Sequence, residues 1–183
     1  MNQGKKIILL AHCLLNVNAK VGGLARYPGV HQELVSSIIQ KGYGLIQLPC
    51  PEIGYFGIRR WGQVVEQMDI PAYRRHCRDL LRPIVDQIED YIKNGYEFFG
   101  VIGVDKSPSC GVHQTCSSDQ YCGEISCITN LKKLTESLIY PQGQGIFIEE
   151  FQSLLGDVGV SIPFYGIDEE SNDIPAPILS LLS

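Results

Sequence analysis

Residues 6–11 have the sequence KIILLA, and two similar apolar runs follow, GLIQL at 44–48 and FFGVIGV at 98–104. Each run is continuous rather than alternating, which is typical of parallel strands that are covered on both faces. A fourth strand is predicted at 161–167. Helical patterns separate the strands. This order predicts an α/β fold with an open, mostly parallel sheet and flanking helices, a Rossmann-like three-layer arrangement in a single domain.

The longest helical pattern runs from Pro71 to Ile92, where apolar residues recur at helical spacing. Pro83 lies inside this pattern and predicts a kink or a break, because proline removes one helical hydrogen bond. Apolar spacing, glycines and flanking turn residues predict further helices at 30–39, 128–139 and 146–155 and a short terminal helix at 175–183.

Composition limits the classes of function. The chain has 183 residues and a net charge of -5, which disfavours nucleic acid and acidic membranes as partners. We expect one domain over 1–183, with a cysteine-rich loop insertion at about 107–145. The apolar run at 7–11 is too short to span a bilayer and precedes no cleavage site, so we expect a cytoplasmic protein. In that reducing compartment, seven cysteines indicate metal or redox chemistry rather than disulfides.

Three cysteines come shortly after predicted strands: Cys13, Cys50 and Cys110. The carboxyl ends of parallel strands share one edge of a sheet, so these thiols should converge there. No C-x2-C pair is present, although such pairs are common in structural zinc sites. Three widely separated thiolates suit a [4Fe–4S] cluster and leave one iron without a protein ligand. That iron can bind a soft donor, and sulfur is the softest candidate.

Four segments carry a resemblance to a known family. They are His12-Cys13-Leu14-Leu15-Asn16, Arg26-Tyr27-Pro28-Gly29, Cys50-Pro51-Glu52-Ile53-Gly54 and Lys106-Ser107-Pro108-Ser109-Cys110-Gly111. Together with the glycine-opened helix and strand at 145–160, they resemble the thiouracil desulfidase (TudS-like) family, in the family's order. The chain resembles a divergent branch, because Asn16 and Pro28 replace the more usual glycine and aspartate, and the segment 110–145 is enlarged.

The resemblance implies a [4Fe–4S] cofactor bound by Cys13, Cys50 and Cys110. It also implies a glutamate acid/base at Glu52 and a catalytic serine, for which Ser107 is the first choice and Ser109 the second. The implied reaction removes sulfur from the thiocarbonyl of a small thiolated heterocycle, as in thiouracil, and leaves a carbonyl.

Two other functions remain open from the residues alone. Cys116, Cys122 and Cys127 could form a zinc-binding or thiol redox module without catalytic activity. Alternatively, Cys110 and His113 could act as the nucleophile and base of a hydrolase. Residues 59–61, Arg-Arg-Trp, form a cationic and aromatic cluster that either stacks on a base or is an exposed loop.

Overall fold

Four parallel strands form one sheet in the computed structural model, which describes residues 3–171 and 174–182. The strands are β1 (Lys6–Leu10), β2 (Gly44–Gln47), β3 (Glu97–Val104) and β4 (Phe164–Ile167). Their order is β2-β1-β3-β4, and every neighbouring pair is parallel. The predicted α/β class is therefore confirmed.

The helices connect these strands. They are α1 (His12–Leu15), α2 (Gln32–Gln40), α3 (Pro51–Phe56), α4 (Val65–Met68), α5 (Pro71–Lys93), α6 (Leu131–Glu136), α7 (Ile146–Asp157) and α8 (Ala176–Leu182), with 3-10 helices at Val17–Ala19 and Ile125–Cys127. Ser183, the last residue of the predicted terminal helix, lies outside the described residues. Among the described residues, no helix is long and apolar enough to cross a membrane.

The sheet separates two apolar layers, because successive side chains of a strand point to opposite faces. Leu9 of β1 packs in one layer with residues of α5 and α7. Its neighbours Ile8 and Leu10 pack in the other layer with residues of α2 and α8. Each face of the sheet is thus covered by helices, as the continuous apolar runs predict.

Helix α5 continues through Pro83, so the predicted break did not occur. Leu81 and Val85 lie on either side of the proline, and both are buried in the same apolar layer. This burial on both sides outweighs the loss of one backbone hydrogen bond. Helix α6 is shorter than the predicted 128–139, and none of its residues is buried to hold further turns.

The strand order creates a crevice between β1 and β3. After β1 the chain crosses to β2 on one side, whereas after β3 it crosses to β4 on the other. The loops that leave the carboxyl ends of these two neighbours therefore diverge, and ligands of open α/β sheets bind at such points.

Candidate metal centre and active site

A cavity of about 480 Å³ lies at the carboxyl ends of the strands, and the three predicted ligand cysteines all line it. Cys13 is the second residue of α1, which begins two residues after β1. Cys50 directly precedes α3, and Cys110 follows β3 by six residues. The structure thus brings residues from three separate crossovers to one site.

The three thiols influence one another electrostatically. The pKa of Cys13 is raised to about 11, mainly by burial and in smaller part by the neighbouring Cys50. Burial also raises the pKa of Cys110 well above its ordinary value, and charge on Cys13 or Cys50 adds to this effect. The metal-free thiols are therefore protonated at neutral pH, and metal binding must release their protons.

The candidate ligand cysteines and the remaining cysteines of the loop at 107–145 differ in their surroundings. Among the described residues, no three His, Cys, Asp or Glu side chains form a group that could hold a metal ion. Of Cys116, Cys122 and Cys127, only Cys116 is buried, and the other two are exposed. The thiolates of a [4Fe–4S] cluster bind different irons and need not converge on one point. Cys13, Cys50 and Cys110 are free thiols of intermediate exposure that line the same cavity.

The segment that carries Cys110 is held by polar contacts to its backbone. Asp105 directly follows β3, and its Oδ1 accepts hydrogen bonds from the amides of Val112 (2.9 Å) and His113 (2.8 Å). Within the turn, the Oγ of Ser107 accepts a hydrogen bond from the amide of Cys110 at 3.1 Å. The hydroxyl of Ser107 therefore shapes the backbone at Cys110.

Close packing also fixes this segment. A Cβ atom at Gly145 would lie 2.5 Å from the carbonyl oxygen of Ser109 and 2.8 Å from the amide nitrogen of Cys110. A Cβ carbon cannot lie that close to backbone atoms. Glycine, which has no Cβ, therefore allows the start of α7 to pack directly on the Cys110 turn.

Glu52 lies between a serine and an arginine at the wall of the cavity. The buried hydroxyl of Ser109 donates a hydrogen bond to Glu52 Oε1 at 2.6 Å. Arg60 Nε donates to Glu52 Oε2 at 2.8 Å, and the side chains of Arg60 and Glu52 are only 4% and 14% exposed. The Oγ of Ser109 also lies 3.5 Å from the sulfur of Cys110. A carboxylate, a hydroxyl and a candidate ligand thiol are thus in direct contact.

A second polar network joins the loop after β4 to the Cys13 segment. Glu169 forms a partly buried ion pair with Lys20 and accepts a hydrogen bond from the Tyr27 hydroxyl at 2.6 Å. The same hydroxyl lies 3.2 Å from the carbonyl oxygen of Cys13. The positive charge of Lys20 lowers the pKa of Cys13, against the larger effect of burial. Lys20 is therefore a cation close to the candidate ligands.

Comparison with known proteins identifies relatives of the chain. No family model matches it. It is 41% identical over 144 residues to "Uncharacterized protein MJ0003" from Methanocaldococcus jannaschii, a match that covers 78% of this chain and 90% of the relative. The chain belongs to the MJ0003 family. A solved structure of the "[4Fe-4S]-dependent thiouracil desulfidase TudS" aligns over 96% of this chain and 97% of that chain, with a TM-score of 0.48 and 17% identity.

In this member of the MJ0003 family, the predicted site residues lie in one cavity. Cys13, Cys50, Cys110, Glu52, Ser107 and Ser109 all line it. Ser109, the second choice for the catalytic serine, contacts Glu52. The hydroxyl of Ser107, the first choice, lies 3.3 Å from that of Ser109 and accepts a hydrogen bond from the amide of Cys110. His113 lines a different hollow, and burial raises the pKa of Cys110, so a low-pKa cysteine beside a histidine base is not formed.

Several residues of the cavity have no role in the sequence prediction. They are Arg60 as a partner of Glu52, the partly buried pair Lys20 and Glu169, and Asp105 as the residue that holds the Cys110 turn. Asp105 and the acidic residues 168–170 directly follow β3 and β4. The rule that ligand-binding residues lie at the carboxyl ends of strands could therefore have predicted Asp105 and the acidic residues 168–170 as part of the site.

Proposed function

We propose that this chain binds a [4Fe–4S] cluster through Cys13, Cys50 and Cys110 and removes sulfur from the thiocarbonyl of a small thiolated heterocycle. The observation that carries the proposal is that three partly buried thiols and a Ser109–Glu52 pair line one cavity. The resemblance of the Cys-Pro-Glu and Ser-Pro-Ser-Cys segments to thiouracil desulfidases supports the same reaction. A cluster with three protein thiolates supplies one open iron as a Lewis acid for sulfur.

The residues of the chain supply proton transfer and orientation. The reaction replaces C=S by C=O, takes its oxygen from water and releases H₂S, so protons must move from water towards sulfur. Glu52 Oε1 is the base within reach, and the hydroxyl of Ser109 at 2.6 Å can pass a proton to it. We therefore assign the catalytic serine to Ser109. Ser107 shapes the turn through the amides of Ser109 and Cys110.

Reconstitution under anaerobic conditions tests the cofactor. We expect a brown protein with about four irons per chain. Replacement of Cys13, Cys50 or Cys110 by serine should each lower the iron content strongly. Cys116→Ser is the matched control, because Cys116 is buried and lines the same cavity but is not a proposed ligand. A wild-type chain that stays colourless, or iron loss only in Cys116→Ser, would contradict the proposal.

Sulfide release tests the reaction. The reconstituted chain should release sulfide from members of a panel of thiolated pyrimidines and nucleosides, and Glu52→Gln should lower release strongly, to a small residual rate, at unchanged iron content. Iron-loaded protein that releases no sulfide from any member would refute the desulfidase function but keep the cluster. Stoichiometric zinc that disappears in Cys122→Ser would instead favour the zinc-binding module.

A further inference from the structure

Arg59 and Arg60 are adjacent in the sequence, but their environments differ. Arg59 is exposed to solvent. The side chain of Arg60 is almost completely buried and lines the cavity. Trp61, the third member of this cationic and aromatic cluster, is 75% exposed. Trp61 lines the same cavity as Arg60, whereas Arg59 does not, so the three residues do not form one binding surface. Arg60 differs from both neighbours because its side chain is buried.

Arg60 joins two of the segments that carry candidate ligand cysteines. Its Nε donates a hydrogen bond to Glu52, which lies two residues after Cys50. Its Nη2 donates to the carbonyl oxygen of Ala19 at 2.8 Å, in the 3-10 helix that follows α1. Its Nη1 lies 3.4 Å from the carbonyl oxygen of Gly57. The guanidinium group therefore holds Glu52 against backbone from both segments.

The hydrogen bond between Arg60 and Glu52 determines which carboxylate oxygen of Glu52 is available to Ser109. Arg60 binds Oε2, which leaves Oε1 for the hydroxyl of Ser109. Glu52 is on a helix of six residues, and its carboxylate ends a side chain with several rotatable bonds. The short helix does not by itself fix the carboxylate.

We propose that Arg60 is a positioning residue that holds the carboxylate of Glu52 in the orientation required for proton transfer with Ser109. This inference rests on the function proposed for Glu52. It differs from a purely structural role, in which Arg60 would only hold the carbonyl groups of Ala19 and Gly57. The two roles predict different results when Glu52 is also changed.

A double-mutant cycle on the reconstituted chain, with 2-thiouracil as the substrate, separates them. We expect Arg60→Met to lower kcat about 100-fold, because small misplacements of catalytic groups have effects of this size. KM should change less than about threefold, since the contact is made to the enzyme and not to the substrate. Arg60→Lys should restore part of kcat, because lysine keeps the charge but not the fork of donors.

The controls use the neighbouring arginine and the carboxylate partner. Arg59→Met should leave kcat and KM unchanged, because Arg59 is exposed. In sulfide-release assays sensitive enough to measure Glu52→Gln, adding Arg60→Met should have little further effect on kcat. Equal losses of kcat from Arg60→Met in the wild-type and Glu52→Gln backgrounds would overturn the proposal, as would a full loss of kcat in Arg59→Met.

A second measurement does not depend on activity. In the chain without cofactor, Arg60→Met should lower Tm clearly in the wild-type background and about half as much or less in Glu52→Gln, since partners in contact are not additive. Additive losses of Tm would mean that Arg60 does not act through Glu52, and the proposal would fail. If the wild-type chain releases no sulfide, the desulfidase function fails, and this cycle alone decides whether Arg60 holds Glu52.

Discussion

Ser107 and Ser109 are two residues apart, and their hydroxyl groups have different partners. The hydroxyl of Ser109 donates a hydrogen bond to the carboxylate of Glu52. The hydroxyl of Ser107 accepts hydrogen bonds from the backbone amides of Ser109 and Cys110. We expect Ser109→Ala to lower sulfide release about 100-fold or more, the usual effect of losing a group that transfers protons. Ser107→Ala should instead destabilise the chain by about 1–3 kcal/mol, because buried amides lose their acceptor.

Sulfide-release assays and urea unfolding of both variants, at matched iron content, measure the two effects. Full activity in Ser109→Ala together with inactive but stable Ser107→Ala would reverse the assignment. At this scale the resemblance favours Ser107 as the catalytic serine, whereas the contact with Glu52 leads us to propose Ser109. The choice depends on the fold of the turn around Asp105, which brings Ser109 to Glu52, 57 residues away in the sequence.

At the scale of elements, the start of α7 supports the Cys110 turn. Gly145 precedes this helix with φ of -79°, a conformation that alanine also adopts. Gly145→Ala should therefore act only through the clash of its Cβ with the backbone of Ser109 and Cys110. We expect a loss of about 1–3 kcal/mol in the free energy of unfolding and a lower iron content after reconstitution.

Gly156→Ala is a matched control in the same helix. A Cβ atom at Gly156 would have no neighbour within 4 Å. Alanine is the better helix former, so this variant should gain about 0.5–1 kcal/mol and bind iron normally. Iron content and chemical unfolding check both variants. Normal iron binding by Gly145→Ala would show that the contact with α7 does not hold the Cys110 turn.

The sequence predicts the long elements of the fold better than the short ones. The strands are predicted because both faces are buried, and α5 because its apolar stripe covers several turns. Helices α1 and α3 are too short to show a periodic pattern, yet both matter for the site. Helix α1 carries Cys13, and α3 begins directly after Cys50. The Arg60–Glu52 pair depends on how the chain folds back after α3. Such contacts cannot be read from residue spacing alone.

At the scale of the whole molecule, an ionic contact joins α5 and α7. The buried carboxylate of Glu150 accepts hydrogen bonds from Arg74 (2.7 Å) and Arg78, and the exposed Glu149 pairs with Arg74 at 2.8 Å. Loss of one partner of a buried pair is destabilising, although solvent reaches both arginines. We expect Glu150→Ala to lower the free energy of unfolding by about 2 kcal/mol. Glu149→Ala should have an effect of about 0–1 kcal/mol.

Urea unfolding of the two variants measures this difference, and both should bind iron normally, because neither residue lines the cavity. Equal effects of the two substitutions would mean that burial of Glu150 does not strengthen its contacts. Reduced iron content in Glu150→Ala alone would indicate that α5–α7 packing also determines the geometry of the site.

Ion pairs at the rim of the cavity should make the stability of the chain depend on acidic pH. Lys106 pairs with Asp168 at 2.7 Å and Glu170 at 2.9 Å, connecting the loops after β3 and β4. The hydrogen bond from Lys106 is the main cause that lowers the pKa of Glu170. For Asp168, burial alone would raise the pKa, but the contacts to Lys106 and to the Glu170 amide lower it overall. Native carboxylates with lowered pKa values bind protons less readily than the unfolded chain, so their contribution is present above the unfolded value and is lost as pH falls.

The unfolded reference values are 4.5 for Glu170 and 3.8 for Asp168, so the loss should begin as pH falls below about 4.5. Lys106→Met removes the cation and should therefore lower stability at pH 7 slightly, because the contacts are solvent-exposed, and make the decline shallower by the same amount, so that the two profiles converge at acidic pH. Thermal unfolding of the wild type and Lys106→Met between pH 7 and pH 3 checks the difference. Parallel pH profiles would show that these pairs do not hold the two loops together. A shallower profile in Lys106→Met would show that these pairs stabilise the folded chain above the unfolded pKa values of the two carboxylates.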